Sequence, residues 1–217
     1  MPSLTAELSR VVTNAHRTMV RASWRFSRGL RIPHRNDFPH LLNYFGLAGE
    51  GVEVGTCKGI FAQRILSAWH GKMLHCIDPW HDFTADGYYV DRDNVTQATQ
   101  EERYAETQRR LNRYRGRHHL HRLTSLDGAS LFGNQELDFV YIDAQHHYEA
   151  VCEDLRLWYP KVRAGGILAG HDYLDEVRTE GNYGVKRAVD GWAAAHDLPV
   201  WISEEPDFKS WFIRLPG

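Results

Sequence analysis

Cysteine is scarce in this chain. Only Cys57, Cys76 and Cys152 occur in 217 residues, scattered and odd in number. That excludes a disulfide framework and a cysteine-built zinc site, and it makes a reducing cytoplasm the expected compartment. Charge of either sign is not in excess: 26 Lys and Arg against 28 Asp and Glu leave a net charge of -2. No bulk electrostatic reason then exists to expect nucleic acid or an anionic membrane as partner. No apolar run is long enough to span a bilayer. The opening "MPSLTAELSRVV" has no apolar core of the secretory kind. Internal repeats and low-complexity stretches are also missing.

What is present is an ordinary globular composition, 42% hydrophobic and 25% charged, with aromatics at 12%. Histidine is the exception at 13 copies. Many fall late in the chain, at 118, 119, 121, 146, 147 and 171. Length and composition predict one α/β domain over residues 1–217. Residues 1–48 read as a helical arm, arginine-rich over 4–28, with a further short helix in "DFPHLLNYFGLA". That arm is free to cover its own domain or a second subunit, so a homo-oligomer stays open. From residue 49 the text alternates strand and helix. Strands are expected at "GVEVG", "KMLHCID", "HHLHRLT", "ELDFVYID" and "GGILAGHDY", and a closing antiparallel hairpin at "PVWIS" and "SWFIRL". The fold class expected is a Rossmann-like, mostly parallel sheet with helices on both faces. Residues 81–117 form an insertion or lid. Its loop is long for a compact domain, and Tyr88 and Tyr89 are placed to close over a substrate.

Ligands in such sheets lie beyond the carboxyl ends of the strands. The first strand runs into "EGVEVGTCKGIFAQRI" at residues 50–65. A G-x-G-x-x-G fingerprint and a G-x-x-x-x-G-K-[ST] loop are both absent, so pyrophosphate fits poorly. Glu53, inside the strand, repels phosphate and suits a cationic group. Asp78 ends the second strand about 25 residues later, near the spacing at which an acid grips a ribose hydroxyl. Trp80 is placed to cover an adenine face. A ribose, an adenine, no phosphate and a positive end describe S-adenosylmethionine; NAD does not match.

The segments "VEVGTCKG", "CIDPW", "DFVYIDAQHHYEAVCEDLRLWYPKVRAGGILAGHDY" and "GVKRAV" resemble the class I S-adenosylmethionine-dependent methyltransferases, most of all the bacterial group called methyltransferase family 24. The resemblance runs in order over about residues 50–192. It implies a seven-stranded sheet whose last strand is antiparallel. It also implies that Glu53, Gly55, Thr56 and Gly59 form the first cofactor motif, that Asp78 binds the ribose, and that Ser125 and Leu126 lie beside the adenine.

Methyl transfer to a hydroxyl needs the proton removed by a base, or the oxygen activated by a cation. Asp143 ends the fourth strand, and His171 and Asp172 end the fifth. The three together make a plausible divalent-cation site, placed as in metal-dependent O-methyltransferases, with an imidazole where those carry an acid. Asp143 alternatively holds the cofactor's aminoacyl end. His146 occupies the histidine of the family's D-x-D-H-x-Y pattern, while Gln145 replaces the second acid. The expected base is therefore His146 or His171. The activity expected is methylation of a small molecule, most of all at a hydroxyl oxygen. Two other readings stand beside it: a cofactor-binding module that does not methylate, and a metal-dependent hydroxylase or hydrolase on the same fold.

Overall fold

The computed structural model describes residues 13–21, 31–83, 95–179 and 181–217. Tyr88 and Tyr89 lie outside them. Seven strands form one sheet in the order β3-β2-β1-β4-β5-β9-β8. β1 (Glu50–Val54), β2 (Met73–Ile77), β3 (His118–His121), β4 (Leu137–Ile142) and β5 (Val162–Gly170) are mutually parallel. β9 (Trp211–Arg214) runs antiparallel to β5 and to β8 (Trp201–Ile202). The expected fold class is therefore observed, with the last strand inserted between β5 and β8.

Strand pleat sorts the apolar residues into two layers. Val52, Val54, Val140, Ile142 and Leu168 face one core, under α5 (Tyr148–Trp158) and α6 (Val185–Ala195). Phe139, Tyr141, Ile167 and Ala169 face the other, under α1 (Phe38–Tyr44) and α2 (Ile60–Ala68). Gly51 stands opposite Phe139 in the register, and a Cβ there would sit 2.1 Å from that ring. The missing side chain lets the aromatic lie across β1. Phe38 meets Phe139 edge-on at 5.2 Å, so α1 is keyed to the sheet by ring contacts.

The helices start where local chemistry supports them. Thr96 accepts from the Thr99 amide to cap α3 (Gln97–Leu111), and Thr124 accepts from the Asp127 amide to cap α4 (Ser125–Ala129). In the arm, residues 13–21 are helical. Arg17 and Arg21 both pair with buried Asp37, at 2.8 and 2.6 Å. Residues 31–34 lie along the closing hairpin: Ile32 bridges Ser203, and Arg31 makes a two-bonded pair with Glu204. A small hairpin of β6 (Glu176–Arg178) and β7 (Gly181–Tyr183) follows β5, and the short helix α4 follows β3; the sequence reading had neither. Among the described residues no helix is long and apolar enough to cross a membrane.

Candidate active site

A cavity of about 720 Å³ opens at the carboxyl ends of β1, β2, β4 and β5. Its size falls in the range of cofactor and substrate pockets. The chain leaves β1 through Gly55, at φ +87°, where an added Cβ would lie 1.9 Å from the Asp143 carbonyl oxygen. Only glycine allows the turn to pass so close to the end of β4. Gly59, also left-handed at φ +68°, caps α2. Asp78 ties this turn to the next: its carboxylate accepts from the Cys57 amide and the Trp80 amide, each at 2.8 Å. Asp78 also lines the cavity.

Trp80 departs from expectation. It is fully buried, donates its indole N–H to the Cys57 carbonyl at 2.8 Å and packs on Tyr104. It braces the turn after β1 from behind instead of offering a face to the cavity. Thr56 is buried in the same turn. Ser125 and Leu126 do line the cavity, and Leu126 is 55% exposed. Behind Ser125 lies a group the sequence reading missed. The Ser125 hydroxyl donates to buried Asp154 and accepts from the Trp158 indole at 2.8 Å. Burial pushes the Asp154 carboxyl up to about 7.

Glu53 is buried beside the β1 turn, and its Oε2 has no hydrogen-bond partner. Burial first, then the neighbouring Asp143 carboxylate, push its pKa up to about 8. A buried acceptor without a partner is costly. An ammonium group delivered by a ligand would satisfy it and hold it ionised, so the residues here fit the aminoacyl end of S-adenosylmethionine. The raised pKa also sets a pH dependence. Folded protein without ligand keeps a proton on Glu53 that the unfolded chain releases near 4.5. Stability from this group is therefore full below about pH 4.5 and is lost as pH rises through about 8, by on the order of 5 kcal/mol. Glu53→Gln is expected to flatten that part of the melting-temperature profile. Parallel profiles for the two proteins from pH 5 to 8 would count against the assignment.

The acid–base cluster gathers at β4 and β5. The His171 amide bonds the Ile142 carbonyl at 3.0 Å, which pins the end of β5 to the end of β4. Asp172 follows in a left-handed conformation, φ +51°, a strained state for a residue with a side chain. That twist aims its carboxylate at two imidazoles. Oδ1 lies 3.0 Å from His171 Nδ1, and Oδ2 lies 2.9 Å from His146 Nε2. Burial alone would raise the Asp172 pKa; the bonds from His146 and His171 outweigh it and hold the carboxyl below its ordinary range. The His146 ring rests against Tyr183 of β7, 5.1 Å between centroids. Asp143 sits at the junction: its Oδ1 is 3.7 Å from His171 Nδ1 and its Oδ2 is 2.7 Å from Arg35.

Ligand-type atoms of Asp143, His146 and Asp172 all lie within 4.8 Å of one another. The mixed oxygen and nitrogen set fits a divalent transition ion. The strand-end pattern points to Asp143, Asp172 and His171 for that role; the group that gathers has His146 in place of His171. Arg35, Tyr183 and Phe208 line the same cavity. Sequence reasoning missed all three, since each comes from a segment outside the strand–helix alternation.

A family model for a methyltransferase domain, that of methyltransferase family 24, matches residues 52–173. No curated protein sequence matches the chain. Among solved structures, an O-methyltransferase family protein from Burkholderia thailandensis is similar at 15% identity and TM-score 0.60, over 94% of this chain and 60% of its own. The chain thus spans less than two thirds of that relative. The O-methyltransferase from Bacillus cereus in complex with SAH is similar at 15% identity and TM-score 0.59, over 94% and 90%. The O-methyltransferase TomG from Streptomyces achromogenes, involved in tomaymycin synthesis and in complex with SAM, is similar at 16% identity and TM-score 0.59, over 91% and 87%. At such identities the likeness is one of fold. The family match covers more than half of the residues, and the chain belongs to methyltransferase family 24, among the class I S-adenosylmethionine-dependent methyltransferases.

Proposed function

We propose that the protein uses S-adenosylmethionine to methylate a hydroxyl oxygen of a small molecule. The cofactor supplies a methyl group made electrophilic by a positive sulfur. Asp78 accepts hydrogen bonds from its ribose, and Glu53 meets its ammonium group. His171 acts as general base on the acceptor. The observation that carries this reading is the placement of His171: its Nδ1 lies 3.0 Å from Asp172 Oδ1, and the residue lines the cavity. An imidazole anchored at Nδ1 by a carboxylate presents Nε2 as its basic nitrogen. His146 holds the second oxygen of Asp172 and thereby fixes the carboxylate. The cluster of base, orienting acid and second acid argues against a module that binds cofactor without turnover. A divalent ion, if held by Asp143, His146 and Asp172, would lower the pKa of a ligated hydroxyl, and it is also the group that a hydroxylase or hydrolase would need. The acceptor partner is a small molecule and not a nucleic acid. A homo-oligomer in the cytoplasm remains part of the proposal.

Calorimetry with S-adenosylmethionine and S-adenosylhomocysteine tests the cofactor, and a hydroxyl-acceptor panel read by mass and by homocysteine-product release tests the reaction. Binding of neither nucleoside would overturn the reading. Binding with no transfer across the panel would favour the non-methylating module. Asp78→Ala is expected to weaken cofactor binding by about 1–3 kcal/mol through lost charge-assisted hydrogen bonds. An unchanged dissociation constant in a folded variant would remove Asp78 from the ribose.

A further inference from the structure

Arg35 reaches the cavity from outside the Rossmann-like core. It opens the short turn Arg35–Asp37, between residues that lie on the closing hairpin and the buried ring of Phe38. Both flanks are anchored, Ile32 on Ser203 and Phe38 in the core. Its guanidinium carbon lies over the Phe61 ring, 4.2 Å from the centroid, and 5.6 Å from that of Tyr141. One terminal nitrogen donates to Asp143 Oδ2 at 2.7 Å. The Nε–H is buried and has no hydrogen-bond partner. The side chain is 20% exposed and lines the cavity. A guanidinium offers five N–H donors, and this one uses a single group for one acceptor.

Two buried groups near enough to act on each other's charge lack complements. Glu53 has an acceptor without a donor, and Arg35 has a donor without an acceptor. An ammonium and a carboxylate carried on one carbon would answer both. The aminoacyl end of the proposed cofactor has that pair of charges. It also lies on the correct side: Asp78 places the ribose at β2, and β1 and β4, beside Arg35, are the next strands in the sheet. His171 and Asp172 stand at β5, on the far side of Asp143.

Resting on the cofactor reading above, we infer that Arg35 binds the aminoacyl carboxylate of S-adenosylmethionine, with Asp143 holding the guanidinium in place. The arm before the core is then part of the cofactor site. Planar guanidinium suits a carboxylate through paired hydrogen bonds, which a lysine would not reproduce.

The test compares S-adenosylhomocysteine with 5′-methylthioadenosine, which keeps the nucleoside and thioether and lacks the aminoacyl end. Affinities are measured by calorimetry on the full chain, so no turnover is needed. Arg35→Gln is expected to weaken S-adenosylhomocysteine by roughly 10- to 100-fold and to leave methylthioadenosine within about twofold. Arg35→Lys should fall between. On the unmodified protein, the decarboxylated thioether, which keeps the ammonium, should bind weaker than S-adenosylhomocysteine by a similar factor; this arm stands even if Arg35→Gln fails to fold. Equal loss for both ligands in Arg35→Gln, no loss for S-adenosylhomocysteine, or equal affinity for the decarboxylated thioether would overturn the inference. Wild-type protein that binds neither nucleoside would overturn the cofactor reading and this inference with it. Wild-type binding alongside an unaffected Arg35→Gln would overturn the inference alone.

Discussion

Replacing His171 with alanine is expected to lower kcat by roughly 10²–10⁴, the usual worth of a positioned general base. Cofactor affinity should stay within about twofold, because His171 lies on the acceptor side of Asp143. The geometry behind this is unusually constrained. The His171 amide is tied to β4, its Nδ1 faces Asp172 at 3.0 Å, and Asp172 is itself gripped by His146 at 2.9 Å. Asp172→Asn should cost nearly as much, since an amide in that place can favour the wrong imidazole tautomer. Asparagine tolerates the left-handed backbone at this position, so the fold should survive the change. Free imidazole added to His171→Ala should recover part of the rate, and it should do nothing for Asp172→Asn. Steady-state kinetics with a methyl acceptor checks all of this. Near-normal kcat in His171→Ala, with cofactor still bound, would move the proton to another group.

The strand-end acids were readable because two simple rules locate them. Apolar runs bounded by glycine mark buried parallel strands, and ligands in such sheets sit where those strands end. Asp78, Asp143 and Asp172 follow from those rules alone; Glu53, inside its strand, followed from its charge. The register of β1 between β2 and β4 then brings them together. Orientation was not readable. Nothing in "HDY" says which imidazole nitrogen meets Asp172, or that the carboxylate is shared between His171 and His146; a left-handed Asp172 decides both. Trp80 was misplaced for a related reason. Its position after Asp78 is right for adenine, and its own φ of +42° turns the indole back under the Cys57 carbonyl. Arg35 was invisible because its partner, Asp143, is 108 residues away. Only the docking of residues 31–38 on the hairpin and on α2 brings the two together. Tyr183 reaches His146 through a hairpin too short to leave a periodic signal.

Thorough chelation is expected to abolish turnover, and one of Mg²⁺, Mn²⁺, Co²⁺, Ni²⁺, Fe²⁺ or Zn²⁺ should restore it. The charge balance of the cluster makes this a demanding prediction. Asp143 already has Arg35 at one oxygen, and Asp172 already has two imidazoles, so repulsion between the carboxylates does not by itself require an ion. One oxygen of Asp143 stays clear of Arg35, and atoms of Asp143, His146 and Asp172 converge within 4.8 Å. An imidazole among two carboxylates favours transition ions over Mg²⁺. His146→Ala should therefore weaken metal affinity more than it weakens cofactor binding, and His146→Asn should shift preference toward harder ions. His171→Ala, by contrast, should keep the ion and lose the rate. Full activity in a chelated sample, proved metal-free by elemental analysis, would defeat the metal reading. The proton would then pass to His171 alone, with Asp172 and His146 as its orienting pair and Asp143 as the anchor of Arg35.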